Sequence, residues 1–212
     1  MLDSLELTAA GTARPIVQYG ERVLDEACAE VTEFGSDLEQ LIGDMFASMY
    51  AARGVGLAAN QIGVGLRVFV MDSPDDEVER VVGHVVNPVL EPHTGERILV
   101  DHDEGCLSVR GPRAEVSRLR DAAVTGFDYT GAPIRIEGHG IAGRCLQHEM
   151  DHLDGKLYLS RLTVKQRNAV LEEFEALRAA EAEGGTVAGA EGMDLAGDPS
   201  PGAAGVDESQ AS

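Results

Sequence analysis

The sequence predicts a single domain that contains both strands and helices, because strand-like and helix-like segments can be distinguished along the chain. Four segments in its middle are rich in β-branched residues and are typical of strands or a hairpin: 66–71, 84–90, 96–101 and 122–138. Three segments have helical spacing or helix signals and flank this block: 36–53, 141–153 and 163–180.

The first helix is predicted from residues 36–53, SDLEQLIGDMFASMYAAR. Its apolar residues recur every three or four positions, which indicates an amphipathic helix with one face in the core. Ser36 and Glu39 have the spacing of a capping box, and Gly54 is a plausible stop. The glycine-rich segment 54–65 is expected to form turns, and 72–79 an acidic surface loop.

The remaining helices follow the hairpin-like stretch 122–138, whose turn is expected near Thr130 and Gly131. Residues 141–153 indicate a mostly buried helix that ends at Gly155. Thr163 and Gln166 form a second capping-box pattern, which predicts a helix from there to about Ala180.

The ends of the chain have a different composition from the predicted domain. Of the 32 residues at 181–212, 19 are Gly, Ala, Ser or Pro, seven are acidic and none is Lys or Arg. Such a segment buries too little apolar surface to offset its ordering entropy, so we expect disorder. The sequence therefore predicts a flexible start at 1–11, a catalytic domain at 12–180 and an acidic tail at 181–212.

Charge and composition exclude several classes of partner. The net charge of −20 argues against DNA or RNA binding, which needs a basic face, and against docking on an anionic membrane. No secretory signal and no apolar run of membrane-spanning length is found. Three cysteines are too few and too odd in number for a disulfide framework, so reduced thiols and a cytoplasmic location are expected.

The chemistry of the chain is indicated by QHEMDH at 147–152, an HExxH pattern. On a helix, His148 and His152 lie on one face and can reach the same metal ion. Glu149, beside the first histidine, is placed to act as a general base for an attacking water. The pattern predicts a catalytic metal site with three protein ligands.

Four candidates compete for the third ligand. A metzincin-type histidine is excluded because Tyr158 occupies its position. A glutamate from the next helix, Glu172 or Glu173, is possible but fits a solvated helix face. Cys145 lies on the histidine helix, about 10 Å along the axis from His152 at roughly 1.5 Å per residue, too far for its short side chain. Cys106, after a predicted strand and beside a glycine, is the leading candidate.

Three segments in this order resemble the signature motifs of peptide deformylases: GVGLAANQ at 54–61, EGCLS at 104–108 and QHEMDH at 147–152. The resemblance extends over about residues 12–180. It implies an α+β fold with antiparallel sheets around a central HExxH helix, an N-terminal amphipathic helix and a C-terminal helix. It also implies hydrolysis of the formyl group from the N-formylmethionine of newly made polypeptides.

The resemblance assigns roles residue by residue. Glu149 would be the general base for a water on the metal, while Gln61 and the Leu107 N–H would stabilise the oxyanion. Val55, Leu107 and Cys145 could line an apolar slot for the methionine side chain of the substrate, and Gly56 would let the backbone approach an extended peptide. The metal ligands would be Cys106, His148 and His152. The family ion is ferrous iron, which zinc, nickel or cobalt can replace in the purified protein.

Two features depart from the family pattern. Arg110 stands where proline is common, at the rim of the pocket, and it favours the alternative of a homologue with lost or altered activity. The last helix is near neutral and is followed by an acidic tail, so ribosome association through this helix is not supported by its charge. A zincin-like metallopeptidase with Glu172 or Glu173 as ligand is the other alternative.

Overall fold

The computed structural model describes residues 10–183, and the predicted tail lies outside them from residue 184 onward. The α-helices that lie entirely within these described residues are α1 (Ser36–Ala51), α2 (Ile141–Leu153) and α3 (Val164–Ala182). The strands are β1 (Gly56–Ala58), β2 (Val68–Pro74), β3 (Arg80–Leu90), β4 (Leu99–Cys106), β5 (Val109–Leu119), β6 (Asp121–Phe127) and β7 (Pro133–His139). The predicted α+β class, with antiparallel sheets, is confirmed.

The strands form two separate sheets. The larger sheet has the order β1-β2-β3-β6-β7, and every neighbouring pair in it is antiparallel. The smaller sheet is the antiparallel pair β4-β5. Helix α2 contacts both sheets, so one side of the helix faces the larger sheet and another faces the smaller sheet.

Helix α2 has two chemically different sides. Cys145, Leu146, Met150 and Leu153 join the apolar core on the larger sheet, with Phe69, Met71, Val85 and Val124. Arg144, His148 and Asp151, spaced four and three residues apart, instead bond to polar groups of the smaller sheet. The smaller sheet therefore supplies the polar environment of the histidine helix.

Helix α1 packs its apolar face on β1 and β2, as its periodicity predicts. The capping box predicted at its start is wrong: Gly35 is the N-cap, it makes no side-chain cap, and Ser36 already lies in the helix. The second capping box is confirmed, because Thr163 Oγ1 accepts from Gln166 N–H and Gln166 Oε1 accepts from Thr163 N–H.

The strand predictions need three corrections. Strand β1 (Gly56–Ala58) lies within 54–65, a segment that the sequence predicts to form turns. Residues 72–74 belong to β2 and only 75–79 form a loop. The whole of β5 was missed, because its sequence VRGPRAEVSRL contains Gly, Pro and four charged residues. No helix within residues 10–183 combines the length and apolarity needed to cross a bilayer.

Candidate metal centre

Three donor side chains converge between α2 and the smaller sheet. Cys106, His148 and His152 are all buried, and their ligand atoms lie within 4.8 Å of one another. The Cys106 Sγ is 3.2 Å from His152 Nε2, and the two imidazole rings lie 5.0 Å apart between centroids. As the sequence predicts, the four-residue spacing places both histidines on one face of the helix, next to each other.

Cys106 reaches this group from the end of a strand. It is the last residue of β4, not part of the segment after a strand, and Leu107 and Ser108 make the tight turn to β5. His152 is held on the other side, because Asn60 Nδ2 donates to its backbone carbonyl at 2.7 Å. The donor group therefore joins residues from β4 and α2, and the short 3-10 helix Ala59–Ile62 supports it through Asn60.

Glu104 orients the first histidine. The Nδ1 atom of His148 lies 2.7 Å from Glu104 Oε1, which leaves Nε2 on the side of Cys106. A carboxylate that holds the outer nitrogen of a histidine fixes its tautomer for metal binding. Glu104 also accepts from Arg118 at 2.5 and 2.7 Å and from Arg144 at 2.8 Å.

This buried cluster of charges stays ionised because each carboxylate is paired. Burial alone would raise the pKa of Glu104, but Arg118 and His148 lower it strongly. Burial would likewise raise the pKa of Asp151, but Arg161 and Arg118 lower it below its usual value. Removing one partner from such a cluster leaves an uncompensated buried charge.

The donor set fits a divalent metal ion. One thiol and two imidazoles are the ligands of a known catalytic set, and His152 faces the cysteine through Nε2. Burial tends to lower the pKa of His148, but its bonds to Cys106 and Glu104 raise it well above the usual value. A proton shared in this way competes with a metal for the same lone pairs.

Glu149 is the unpaired acid of the site. Its carboxylate is fully buried, and neither oxygen has a hydrogen-bond partner among the described residues. Burial raises its pKa to about 7. A side chain at Gly56 would collide with Glu149 Oε1 and Cys145 Sγ, so glycine is required there to leave room for the carboxylate. An unpaired buried acid beside metal-binding residues is a marker of function.

Gln61 has its amide oriented by the backbone. Its Oε1 accepts from the Ala58 N–H at 2.8 Å, so Nε2 must be the group that faces the site. That Nε2 lies 3.7 Å from Cys106 Sγ and 3.3 Å from Ser108 Oγ. Gln61 therefore directs a neutral N–H donor at the donor group.

The other predicted residues lie around this centre. Leu107 follows Cys106, and its carbonyl accepts from Gln18 Nε2 at 3.1 Å, which fixes the orientation of that turn. Cys145 is buried in the core on the larger sheet and donates to the Val55 carbonyl at 3.5 Å. Val55 packs against the same core from its partly exposed position.

The competing ligands are not brought to the site. Glu172 and Glu173 are exposed on α3, and Cys145 is outside the group of three donors. Tyr158 is buried, stacks on His148 at 6.4 Å and donates to the Pro112 carbonyl. Glu104, Arg118 and Arg144 were missed as site residues; the only signal in the sequence is a glutamate two residues before the candidate cysteine.

A cleft of about 1330 Å³ opens in front of Cys106 and Leu107. An unpaired acid beside three metal-binding side chains is the chemistry of metal-dependent hydrolysis, and one of those side chains, Cys106, lines the cleft. The fold and the site together define the class of the protein, a metallohydrolase.

Comparison with known proteins identifies the family. A sequence profile of polypeptide deformylases matches residues 13–168. Peptide deformylase 2 of Streptomyces coelicolor is 50% identical over 165 residues, covering 78% of this chain and 91% of its own. Peptide deformylase 1 of Streptomyces avermitilis is 52% identical over 165 residues, covering 77% and 76%. The chain belongs to the peptide deformylase family, whose members remove the formyl group from newly made polypeptides.

Solved structures agree with this assignment. A peptide deformylase from Legionella pneumophila superposes with a TM-score of 0.72 at 37% identity, covering 81% of this chain and 98% of that one. The peptide deformylase from Ehrlichia chaffeensis in complex with actinonin has a TM-score of 0.72 at 33% identity, covering 78% and 98%. The resemblance to the peptide deformylase family is therefore confirmed at the level of sequence and fold.

Proposed function

We propose that this metal-dependent deformylase holds its ion with Cys106, His148 and His152 of the HExxH helix and uses Glu149 as the general base. A divalent ion bound there supplies Lewis acidity, which polarises the formyl carbonyl and makes water more acidic. The observation that carries the proposal is the buried, unpaired Glu149 carboxylate next to the three donors. With a pKa raised by burial to about 7, it can take a proton and return it near neutral pH.

Each of the other groups has one task in this scheme. Glu149 takes the proton of the attacking water and passes it to the leaving amine. Gln61 Nε2 and the Leu107 N–H stabilise the charge that develops on the formyl oxygen. Gln61 suits this role because it is neutral and its orientation is fixed by Ala58, so no reorganisation is needed as the charge forms.

The methionine side chain is assigned to an apolar slot near Val55, Gly56 and Cys145. The absence of a side chain at Gly56 lets the substrate backbone approach Glu149, since the nearest heavy atoms there belong to Glu149 and Cys145. Cys145 remains a thiol in this slot, because burial raises its pKa well above the usual value.

The native ion is assigned as ferrous iron, with zinc, nickel or cobalt as replacements. Iron(II) binds more weakly than zinc in the Irving–Williams order, and a thiolate ligand makes an iron site prone to oxidation. A comparison of formate release after aerobic and anaerobic purification, with the metal content measured in both, tests this assignment. Equal activity and no iron in either preparation would contradict it.

The cytoplasmic location rests on three free cysteines among the described residues.

The decisive experiment compares Glu149→Gln with Glu172→Gln. Glu149→Gln is expected to bind metal and to lose about 10²–10⁴ in the rate of formate release from a formyl-Met peptide. Glu172→Gln is the matched control, because this exposed carboxylate is the ligand that a zincin-like site would use. Loss of metal in Glu172→Gln or Glu173→Gln would instead support the metallopeptidase alternative.

The alternative that this chain is a deformylase homologue with lost or altered activity rests on Arg110 at the rim of the pocket. In the structure the Arg110 guanidinium pairs with Glu181 of α3, so it is drawn towards the last helix. The rim residue that departs from the family pattern thus has a partner of its own.

A further inference from the structure

We propose that the last helix forms a wall of the substrate cleft, and that the Arg110–Glu181 ion pair holds its final turn at the rim. In that position α3 contacts the peptide residues that follow the formylmethionine. This inference rests on the proposed function, because it takes the cleft in front of Cys106 as the peptide site. It assigns α3 a part in choosing among substrates rather than in the chemistry.

Helix α3 is fixed relative to the metal centre by buried apolar contacts. Val170 and Phe174 lie in the same hydrophobic cluster as Cys106 and Val109. The Phe174 ring also packs edge-on against Tyr19, with 6.0 Å between ring centroids. Because these contacts join the middle of the helix to the strand that carries Cys106, the last two turns of α3 have a defined position at the cleft.

The same face of the helix continues to the rim. Val170, Phe174, Leu177 and Glu181 are spaced four, three and four residues apart, so they form one stripe along α3. Leu177 lies so close to Gly111 that a side chain at that glycine would collide with Leu177 Cδ1. Gly111 also has a φ of 104°, in the region that favours glycine. The approach of α3 to the rim is therefore accommodated by the backbone of β5.

Arg110 and Glu181 complete this contact at the surface. Their side chains are 48% and 40% exposed, so the pair adds little to global stability. Its effect is local, since it connects the start of β5, four residues after Cys106, to the last turn of α3. An exposed pair at such a place is suited to holding a helix end in position.

The cleft is long enough for the peptide to reach this wall. Its lining runs from Cys106 and Leu107 at the centre to Leu177, Arg178 and Glu181 on α3. Its volume of about 1330 Å³ exceeds the roughly 300–1,000 Å³ of pockets that bury a drug-sized ligand. A single formylmethionine does not fill this space, so the following residues of a nascent chain lie along it.

The test compares substrates of two lengths, a formyl-Met-Ala dipeptide and a formyl-Met tetrapeptide. For each, kcat/KM is measured by formate release for the full chain, for Arg110→Ala, for Glu181→Ala and for the exchanged pair Arg110→Glu with Glu181→Arg. We expect the ratio of kcat/KM, tetrapeptide over dipeptide, to fall about two- to fivefold in each single variant. The exchanged pair is expected to restore most of that ratio.

The matched control is Glu26→Gln, which breaks an exposed Arg22–Glu26 pair that does not line the cleft. It should leave the ratio as it is in the full chain. An unchanged ratio in both single variants, or no recovery in the exchanged pair, would overturn the proposal. Absence of formate release from both peptides by the unaltered protein would instead contradict the proposed function.

Discussion

At the scale of single residues, two buried carboxylates of the site are paired with arginines and a third is not. Glu104 and Asp151 each accept hydrogen bonds from arginines, so they remain ionised although they are buried. Glu149, two residues before Asp151, has no such partner among the described residues. This difference in partners, more than any difference in burial, distinguishes the proposed base from the carboxylates that only hold the site together.

The two site cysteines offer a direct comparison of roles. Cys106→Ala is expected to lose the metal, because it removes one of three donors that lie within 4.8 Å of one another. Cys145→Ala is expected to keep it, because that thiol belongs to the core on the larger sheet. Metal content per chain, measured after equal exposure to a chelator, distinguishes the two. Retention in Cys106→Ala with loss in Cys145→Ala would reverse the assignment.

Gln61 is expected to act mainly in the transition state. Gln61→Leu removes the N–H donor at nearly constant volume, and loss of one oxyanion donor costs about 10²–10³ in kcat. Steady-state kinetics on a formyl-Met peptide measure this effect, with Gln166→Leu as the control, because that amide caps the start of α3 and does not line the cleft. An increase in KM at constant kcat would make Gln61 a residue for binding only.

At the scale of elements, prediction from sequence succeeded where a pattern is local. The helices are predicted from the spacing of apolar residues along each segment. The four-residue spacing of the two histidines likewise places both on one face of their helix. Strand β5 could not be predicted, because its inward positions include Pro112 and Arg118 and its stability comes from pairing with β4. The cluster around Glu104 was missed for the same reason, since its members meet only after the smaller sheet packs on α2.

Helix α1 carries a charge whose role depends on pH. Burial alone would raise the pKa of Asp44, but the Thr12 N–H, Gln40 and Arg14 together lower it below the usual value of an aspartate. A lowered pKa in the folded state stabilises the protein above the unfolded value, and this contribution is lost as the pH falls through the folded value. The Asp44 carboxylate thus anchors the segment 12–14 at neutral pH.

Asp44→Asn is therefore expected to lower the free energy of unfolding by about 1–3 kcal/mol at pH 7. The loss should shrink as the pH drops below about 4, where the unfolded carboxyl takes up its proton. Urea unfolding at several pH values checks this, with a substitution of an exposed carboxylate, Glu33→Gln, as the control. A loss that is constant with pH would show that the charge of Asp44 is irrelevant.

At the scale of the whole molecule, the predicted domain boundary can be tested by truncation. Helix α3 continues through Ala182, past the predicted end at about Ala180. Residues 184–212 hold five acidic residues and no Lys or Arg, and we propose that they take no part in catalysis. A chain that ends at Glu183 is expected to release formate at the rate of the full chain.

A chain that ends at Ala180 is the matched comparison, because it also removes Glu181. Its tetrapeptide-to-dipeptide ratio of kcat/KM is expected to be lowered as in Glu181→Ala. The chain that ends at Glu183 is expected to keep the ratio of the full chain. A chain ending at Glu183 that folds and binds metal, yet loses most of its activity, would place the tail at the site.

The position of Cys106 has a further consequence for the assembly of the fold. This thiol belongs to the smaller sheet, whereas both histidines belong to the helix that is anchored on the larger one. An ion that binds all three is therefore a cross-link, and it closes the long loop of chain between β4 and α2. Amide hydrogen exchange in β4 and β5 should slow on loading with metal much more than exchange in β2 and β3, because the cross-link resists separation of the two sheets.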